Sequence, residues 1–376
     1  MGRSVGFTTD PKRVGGPVYV QVYEHLKGKI EQGVFEEGDY LPAASSLARS
    51  CGVSAGTVSK AVSRLKEEGY VERRTGHGTR VTFSEGGLPD RDEQAICVLL
   101  GTVTESFWAE IYGGIFCELQ ERDYKPILIE REESYEMEER AIRRYRDQVG
   151  GFIIAPTREM ENRALYGDLM AREISFVFID RYLPELNVDA VVSDNEAGGY
   201  MAARHLLERG HRRIAVVGAT DAISVRHRIE GYSKALDEYN VAVDEGLIFC
   251  MDRGAFEHGY AVGTRIMEER PEVTAALCLR DDAAWGCLDG VLQTGREVPE
   301  EFSVVGYGDD PAICGRLNPS LTTVRLPKRR MGAEAARKLM SRLEVSSESE
   351  PGICSLPVEL IERKSTGPVP EDRGTS

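Results

Sequence analysis

The chain has 376 residues, 41% hydrophobic and 29% charged, with 47 Lys and Arg against 62 Asp and Glu for a formal net charge of −15. That length calls for more than one domain, and the acidic total argues against a protein that coats nucleic acid or membrane indiscriminately. No apolar run reaches the roughly 18 residues of a membrane span, and Met1 to Asp10 holds no apolar stretch of the secretory kind.

The eight cysteines are scattered without a C-x-x-C pair. They read as reduced thiols of a cytoplasmic protein, with no zinc site and no disulfide framework. The charge is uneven. Residues 1–83 hold 12 Lys and Arg against 9 Asp and Glu, a balance of +3, and the remainder carries −18. Phosphate attraction acts within a Debye length of about 10 Å. A basic first domain can therefore meet nucleic acid although the whole chain is acidic.

Tyr19, Val22, Tyr23, Leu26 and Ile30 have helical spacing, and Gly33 and Gly38 close that helix. Leu41-Pro42 leads into a second short helix through Ala48. Gly52-Val53-Ser54 is a tight turn with Ser54 placed to N-cap a third helix. In that helix Val58, Ala61, Val62 and Leu65 form an apolar face. Ala55, Gly56, Thr57, Ser59, Lys60, Ser63 and Arg64 form the other. Small and hydroxylic residues near a helix N-terminus allow close approach to a major groove. Tyr70–Arg74 and Thr79–Phe83 then read as two strands around the turn Thr75-Gly76-His77-Gly78, flanked by Arg73, Arg74 and Arg80. Glycine backbone can approach phosphates, and His77 is small enough to enter a minor groove. Taken alone the ribbon is equally an ordinary hairpin with solvated arginines. Directly after a helix-turn-helix it is a wing.

Gly33-Val34-Phe35, Gly38-Asp39-Tyr40-Leu41-Pro42, Leu47-Ala48, Gly52-Val53-Ser54 and Glu68-Gly69-Tyr70-Val71 make this segment resemble the GntR-type winged helix-turn-helix. The resemblance implies double-stranded operator DNA as a partner. It implies contact residues at Arg49, Ser54, Ala55, Thr57, Ser59, Lys60, Arg64, Arg73, Arg74, Thr75, Gly76, His77, Gly78 and Thr79. There are departures. Ala43-Ala44-Ser45 replaces the usual Ser-Glu-Arg, and Ala55 and Ser59 stand where arginines are usual. Lys60, Arg64 and Arg49 are the candidates to compensate.

Residues 84–94 are polar with Gly and Pro and read as a linker. From 95 to 364 apolar runs alternate with helical patterns: Ile96–Leu100, Pro126–Ile129, Gly151–Ile154, Phe176–Ile179, Ala190–Val192, Ile214–Val217, Ala275–Leu279 and Ser303–Val305. Continuous apolar runs suit parallel strands covered on both faces. The expected fold is α/β: two lobes of doubly wound parallel sheet behind the winged head, with ligands at the carboxyl ends of strands. Residues 365–376 read as a disordered tail.

Phe178-Ile179-Asp180-Arg181, Ser193-Asp194-Asn195-Glu196, Gly210-His211-Arg212-Arg213-Ile214, Arg228-Ile229-Glu230-Gly231-Tyr232, Val298-Pro299-Glu300, Val305-Gly306-Tyr307 and Leu321-Thr322-Thr323-Val324-Arg325 make this core similar to the LacI/GalR-type regulatory core. That implies a periplasmic-binding-protein-like fold with crossover strands at the hinge, one near Leu321–Arg325, and a homodimer formed through the core. A GntR-type head on such a core resembles the arabinose-responsive repressors. The implied ligand is a small sugar-like effector, held by Phe107, Trp108, Asp180, Arg228, Arg280 and Asp309. Trp108 is alternatively a core residue, and Arg228 a surface ion pair. Arg280 replaces a usual neutral Asn, and Gly308 replaces a usual Asp. Two arginines and one fewer carboxylate favour an anionic sugar, unless Arg280 pairs with Asp281, Asp282 or Asp309.

The expected function is therefore an effector-controlled transcription regulator, a repressor by resemblance, working in the bacterial cytoplasm at the nucleoid. Nothing points to a cofactor or a metal. A core that senses a protein partner is the alternative. An enzyme finds no support: there is no G-x-S-x-G, no Walker A, no G-x-G-x-x-G after a strand and no H-E-x-x-H.

Overall fold

The computed structural model describes residues 18–31, 34–35, 38–74, 78–82, 92–131, 134–157, 162–220, 222–251, 254–344 and 350–369. The chain forms two compact units, Met1–Asp92 and Glu93–Ser376.

In the first unit, α1 (Val18–Glu31), α2 (Ala44–Cys51) and α3 (Ala55–Glu67) precede an antiparallel ribbon of β1 (Val71–Arg74) and β2 (Gly78–Val81). Val22, Tyr23, Leu26 and Ile30 bury one side of α1 against Leu47, Cys51, Val58, Ala61 and Leu65. α2 stops because Gly52 takes a left-handed φ of 66° and returns its amide to Ala48, a conformation that costs glycine nothing. Ser54 then caps α3, its side chain accepting from the Thr57 amide.

The second unit has two lobes. The first is built from β3 (Asp92–Leu100), α4 (Ser106–Gln120), β4 (Lys125–Glu130), α5 (Tyr135–Tyr145), β5 (Val149–Ile154), α6 (Arg163–Ala171), β6 (Ser175–Ile179) and β7 (Ala190–Ser193). The second holds α7 (Asn195–Glu208), β8 (Ile214–Ala219), α8 (Ile223–Glu238), β9 (Ile248–Cys250), α9 (Ala255–Glu269), β10 (Ala275–Cys278), α10 (Asp281–Gln293), β11 (Ser303–Gly308) and β12 (Thr322–Arg325). The chain then returns as α11 (Lys328–Glu344), which packs on α4 and on the first sheet. β13 (Ile353–Leu356) joins that sheet and β14 (Glu359–Ile361) joins the second. The strand orders are β13-β7-β6-β5-β3-β4 and β14-β12-β11-β10-β8-β9. Strand pairing is parallel except where β14 runs against β12. The chain thus crosses between lobes after β7, after β12 and after β13. All three crossings leave from the adjoining edges of the two sheets, which makes that side a hinge.

This is the two-lobed, parallel-stranded α/β architecture that the apolar runs predict. Two boundaries differ. β3 begins at Asp92, inside the expected linker. The expected disordered tail is fixed over its first residues: Ser365 is fully buried, donating to the Val304 carbonyl at 2.6 Å and accepting from the Thr322 amide at 2.9 Å. The Gly367 amide donates to Ser303 Oγ at 3.0 Å, and the Val369 amide to the Arg209 carbonyl at 2.8 Å. Short polar residues at 365–367 look like linker but satisfy buried polar groups of the second lobe. Residues 370–376, like 84–91, lie outside the described residues.

Candidate functional site

The core-facing residues of α3 turn Ala55, Gly56 and Lys60 to solvent, with Thr57 and Ser59 half-buried. Ser54 Oγ lies 2.8 Å from Thr57 Oγ1 and accepts from the Thr57 amide at 3.1 Å. Arg49 is exposed on α2. Arg64, expected as a DNA contact, is engaged within the head. Its guanidinium lies 4.3 Å from the centre of the Tyr23 ring, and its Nε donates to Glu68 at 3.2 Å. Glu68 also accepts from the Tyr23 hydroxyl and pairs with Lys27 at 3.5 Å. Burial, and then Glu68, push the Tyr23 phenol far above its usual range, so it remains a donor. Arg64 braces α3 on α1 because a buried ring and a carboxylate lie within its reach.

In the wing, Arg73 opposes Thr79 and Arg74 opposes Gly78. Arg73 and Gly78 are exposed and Thr79 is half-buried. Thr75, Gly76 and His77 lie outside the described residues, as does the side chain of Arg74. A third segment supports the ribbon, through Gly38 N to Val81 O at 2.9 Å, Val81 N to Asp39 O at 2.7 Å and Leu41 N to Thr79 O at 2.8 Å. Tyr40 on that segment is 46% exposed, with its ring 3.5 Å from where a side chain on Gly78 would begin. Lys66 joins Arg73 and Thr79 in lining a small cleft of about 90 Å³ between α3 and the wing. Tyr40 lies in the Gly38–Pro42 motif but was not among the expected DNA contacts, and neither was Lys66, because a helical lysine carries no pattern.

In the core, the carboxyl ends of the strands bring a second group together. Asp180 ends β6 at a left-handed φ of 68°, with its amide on the Val191 carbonyl. Its carboxylate lies 3.5 Å from Arg181 Nε, and Arg181 also donates to the Thr157 carbonyl at 3.1 Å. Arg228 on α8 is buried. Its Nε donates to Asn195 Oδ1 at 2.8 Å and its Nη1 to the Leu279 carbonyl at 2.6 Å, while its guanidinium lies 3.9 Å over the Tyr307 ring. It is thus no surface ion pair. Its partners are neutral and fix the plane of the fork, which can then offer a donor to a ligand. Asn195 and Tyr307 lie in motifs quoted from the sequence, but neither they nor the Leu279 carbonyl were among the expected site groups.

Four expected effector residues are engaged elsewhere. Trp108 is 5% exposed and belongs to the first-lobe core with Ile111, Ile115 and Leu119, so its ring is not a stacking face for a ligand. The helical spacing of those apolar residues carries it inward. Phe107, set edge-on to Trp108 at 4.8 Å, packs on the cores of both lobes. Arg280 is half-exposed and clasped by Asp282 at 3.0 and 2.9 Å. Its charge is matched by a carboxylate two residues away, which removes one of the two arginines behind the anionic-sugar expectation. Asp309 accepts from Arg325 at 2.7 Å and Arg363 at 2.6 Å. Burial alone would raise its pKa, but these two guanidinium groups outweigh burial and hold it below the usual carboxylate range. Asp309 therefore ties β12 and the chain after β14 together at the hinge.

Direct bonds join the lobes. Ser106 at the start of α4 donates to Asp310 after β11 at 2.5 Å. Lys328 pairs with Glu110 at 2.8 Å and reaches the Asp309 carbonyl at 3.4 Å. Beneath the first-lobe strand ends, Glu138 is fully buried and accepts from the Thr157 amide at 2.9 Å, from Asn162 at 2.9 Å and from the Tyr166 hydroxyl. Arg131, also fully buried, lies 4.0 Å from Glu138 and 5.9 Å from the Trp108 ring. Neither residue was singled out from sequence, where both lie in a strongly charged stretch. Among the described residues no cluster of His, Cys, Asp and Glu could hold a metal ion, and no helix is long and apolar enough to cross a membrane.

A winged helix-turn-helix followed by a two-lobed, hinged α/β core is the architecture of a DNA-binding transcriptional regulator. Residues 18–81 match the bacterial regulatory proteins of the gntR family, and residues 203–366 match the periplasmic binding protein-like domain. An arabinose metabolism transcriptional repressor of Geobacillus stearothermophilus is 29% identical over 93% of this chain and 98% of its own. An HTH-type transcriptional repressor PurR of Vibrio atlanticus is 30% identical over 86% of this chain and 98% of its own. Among solved structures, a LacI family transcriptional regulator from Enterococcus faecium with bound ribose is 30% identical, with a TM-score of 0.64 over 73% of this chain and 99% of that one. A CelR–cellobiose complex is 28% identical, with a TM-score of 0.67 over 86% of this chain and 100% of that one. The chain belongs to the LacI-type transcriptional repressors, with a DNA-binding head of the GntR type.

Proposed function

We propose that the protein binds a two-fold symmetric operator as a homodimer and that a small sugar-like effector in the core cleft controls that binding. The observation that carries the effector reading is Arg228. It is a buried guanidinium held flat by Tyr307, Asn195 and the Leu279 carbonyl, at the carboxyl ends of second-lobe strands. Asp180 supplies an acceptor from the first lobe. Relatives of the same fold hold ribose and cellobiose, which supports a carbohydrate here. On the DNA side, Arg49, Ser54, Ala55, Thr57, Ser59 and Lys60, with Arg73, Arg74 and Thr75–Thr79 of the wing, form the contact surface. Two such heads would meet half-sites about one helical turn apart. The effector acts by favouring one lobe arrangement, and its influence on DNA affinity equals its differential affinity for the two.

The test is a thermal-shift screen of the full-length protein with pentoses, hexoses, disaccharides, sugar acids and sugar phosphates. Binding to the native state raises the melting temperature. A shift with one class identifies the effector class. A cooperative melt that none of them moves overturns the carbohydrate reading in favour of a protein partner.

A further inference from the structure

The first turns of α3 present an unusual reading surface. Base edges in the major groove are told apart by bidentate Arg or Lys on guanine, by Asn or Gln on adenine, and by apolar contact with the thymine methyl. α3 contains no Asn or Gln, and its one arginine, Arg64, is engaged with Tyr23 and Glu68. The hydroxyls of Ser54 and Thr57 bond to each other at the cap. The first turn carries exposed Ala55 with its methyl, the bare backbone of exposed Gly56 and the half-buried, methyl-bearing Thr57, with exposed Lys60 one turn on.

Gly56 is the second observation. A glycine in a helix interior costs about 1 kcal/mol relative to alanine, and Gly56, second residue of the exposed first turn, bears part of that cost, so it needs a reason. None of the described residues of the head supplies one. A Cβ at Gly56 would meet only Ser54 Oγ, at an ordinary 3.7 Å. By contrast, the glycines at the α7–α8 contact would collide with backbone at 1.9 Å. Among the described residues the space at Gly56 is unused, which suits a surface that comes close to the start of α3.

We propose that each operator half-site presents thymine to the first turn of α3, read by the methyl groups of Ala55 and Thr57, with Gly56 allowing the helix to come within van der Waals distance of the base edges. This rests on the reading that α3 enters the major groove. Methyl contacts are short-ranged, so they discriminate only if the backbone comes close. A glycine between the two methyl-bearing residues meets that requirement.

The test begins by selecting preferred sites from a random duplex pool with the full-length protein. Thymine is then replaced by deoxyuridine, which lacks only the 5-methyl, one position at a time. The expected result is about fourfold weaker binding at one or two positions per half-site, the value of one buried methyl. T57S keeps the capping hydroxyl and removes the methyl. It should weaken binding to the thymine duplex about fourfold and lose nothing further on the matching uracil duplex. G56A should weaken binding without lowering the melting temperature. If no sequence is enriched, the major-groove reading itself fails. If a sequence is enriched and uracil binds as well as thymine at every position, the thymine inference is overturned while DNA recognition stands. Equal losses for T57S on both duplexes also overturn it.

Discussion

The guanidinium of Arg228 on α8 lies 3.9 Å over the ring of Tyr307 on β11, and both residues reach the same oxygen, Asn195 Oδ1, at 2.8 and 3.5 Å. Burial, the larger influence, pushes the Tyr307 phenol up to about 12, against the opposing pull of Arg228. The ring is therefore neutral at all physiological pH values and serves as a platform for the cation. Lysine cannot stack on the ring and donate to both Asn195 and Leu279. R228K should weaken effector binding by about tenfold or more, from the loss of charge-assisted hydrogen bonds of order 1.5–3 kcal/mol. Calorimetry on wild type and variant reads this directly. Unchanged affinity would remove Arg228 from the effector site.

Ser106 and Asp310 join the lobes on the cleft side. Their bond exists only while the lobes are this close, so it favours the arrangement seen here. S106A should shift the lobe equilibrium toward opening and raise the effector concentration at half-saturation by about tenfold, the lower end of what one hydrogen bond to a charged acceptor is worth. Small-angle scattering with and without ligand separates a shifted equilibrium from a weakened contact. An unchanged radius of gyration and unchanged affinity would show that the bond contributes nothing to closure.

Arg64 on α3 is tied to Tyr23 and Glu68. R64M should lower the stability of the head by about 1 kcal/mol, through lost ring stacking and a half-exposed ion pair. It should leave the preferred operator sequence as it was. A changed base preference in site selection would return Arg64 to the recognition surface.

Helix pairs in the core approach through glycine. A Cβ on Gly199 of α7 would lie 1.9 Å from the Arg228 carbonyl, and one on Gly231 of α8 would lie 1.9 Å from the Glu196 carbonyl. The same device joins α4 to α11 through Gly114 and Gly332, and α9 to α10 through Gly259 and Gly286. Because the obstacle is backbone, neither helix can yield by a rotamer change. G231A should destabilise the core by about 3 kcal/mol, the upper range for overpacking. G167A on α6, where a Cβ meets nothing within 4 Å, should be neutral or stabilising by up to about 1 kcal/mol. Urea midpoints of the pair test the contrast, and equal midpoints would show that the helices part freely.

Much of this architecture was legible in sequence because burial on both faces leaves a continuous apolar run. β5 (Val149–Ile154) and β8 (Ile214–Ala219) are buried throughout. β9, β13 and β14 were not recognised as strands. They are three or four residues long with exposed positions, too short for either periodicity. The places of Asp180 after a strand and Arg228 on a helix follow from their motifs, since each motif fixes a strand end or a helix face. Arg280 and Asp309 show the limit. Sequence gives several carboxylates near Arg280 and several arginines that could reach Asp309, and only three-dimensional distance decides which pair forms. Trp108 shows the same limit for an aromatic, which serves a core and a ligand equally well on paper.

His205 and His211 carry the last prediction. Both are buried in the second lobe, where His205 Nε2 lies 2.9 Å from Thr366 Oγ1. His211 bonds Thr274, Ser303 and the Gly367 carbonyl at 2.8, 3.1 and 3.2 Å. Burial is the main reason that each pKa falls from 6.5 to about 4. Arg209 adds to the fall at His205, where Glu362 and Glu208 oppose it. At His211 the Gly367 carbonyl opposes it and Arg209 and Arg212 add to it. The unfolded chain therefore binds more protons than the native one between these values. The stability from the neutral histidines is present above about pH 6.5 and is lost as pH falls toward 4, at a slope approaching 1.4 kcal/mol per pH unit for each. H211Q removes one titrating group. It should be less stable than wild type at pH 7.5, for its lost bonds, yet lose less on going to pH 5.5. Urea midpoints at the two pH values check this, and equal acid losses in wild type and variant would assign the pH dependence to other groups.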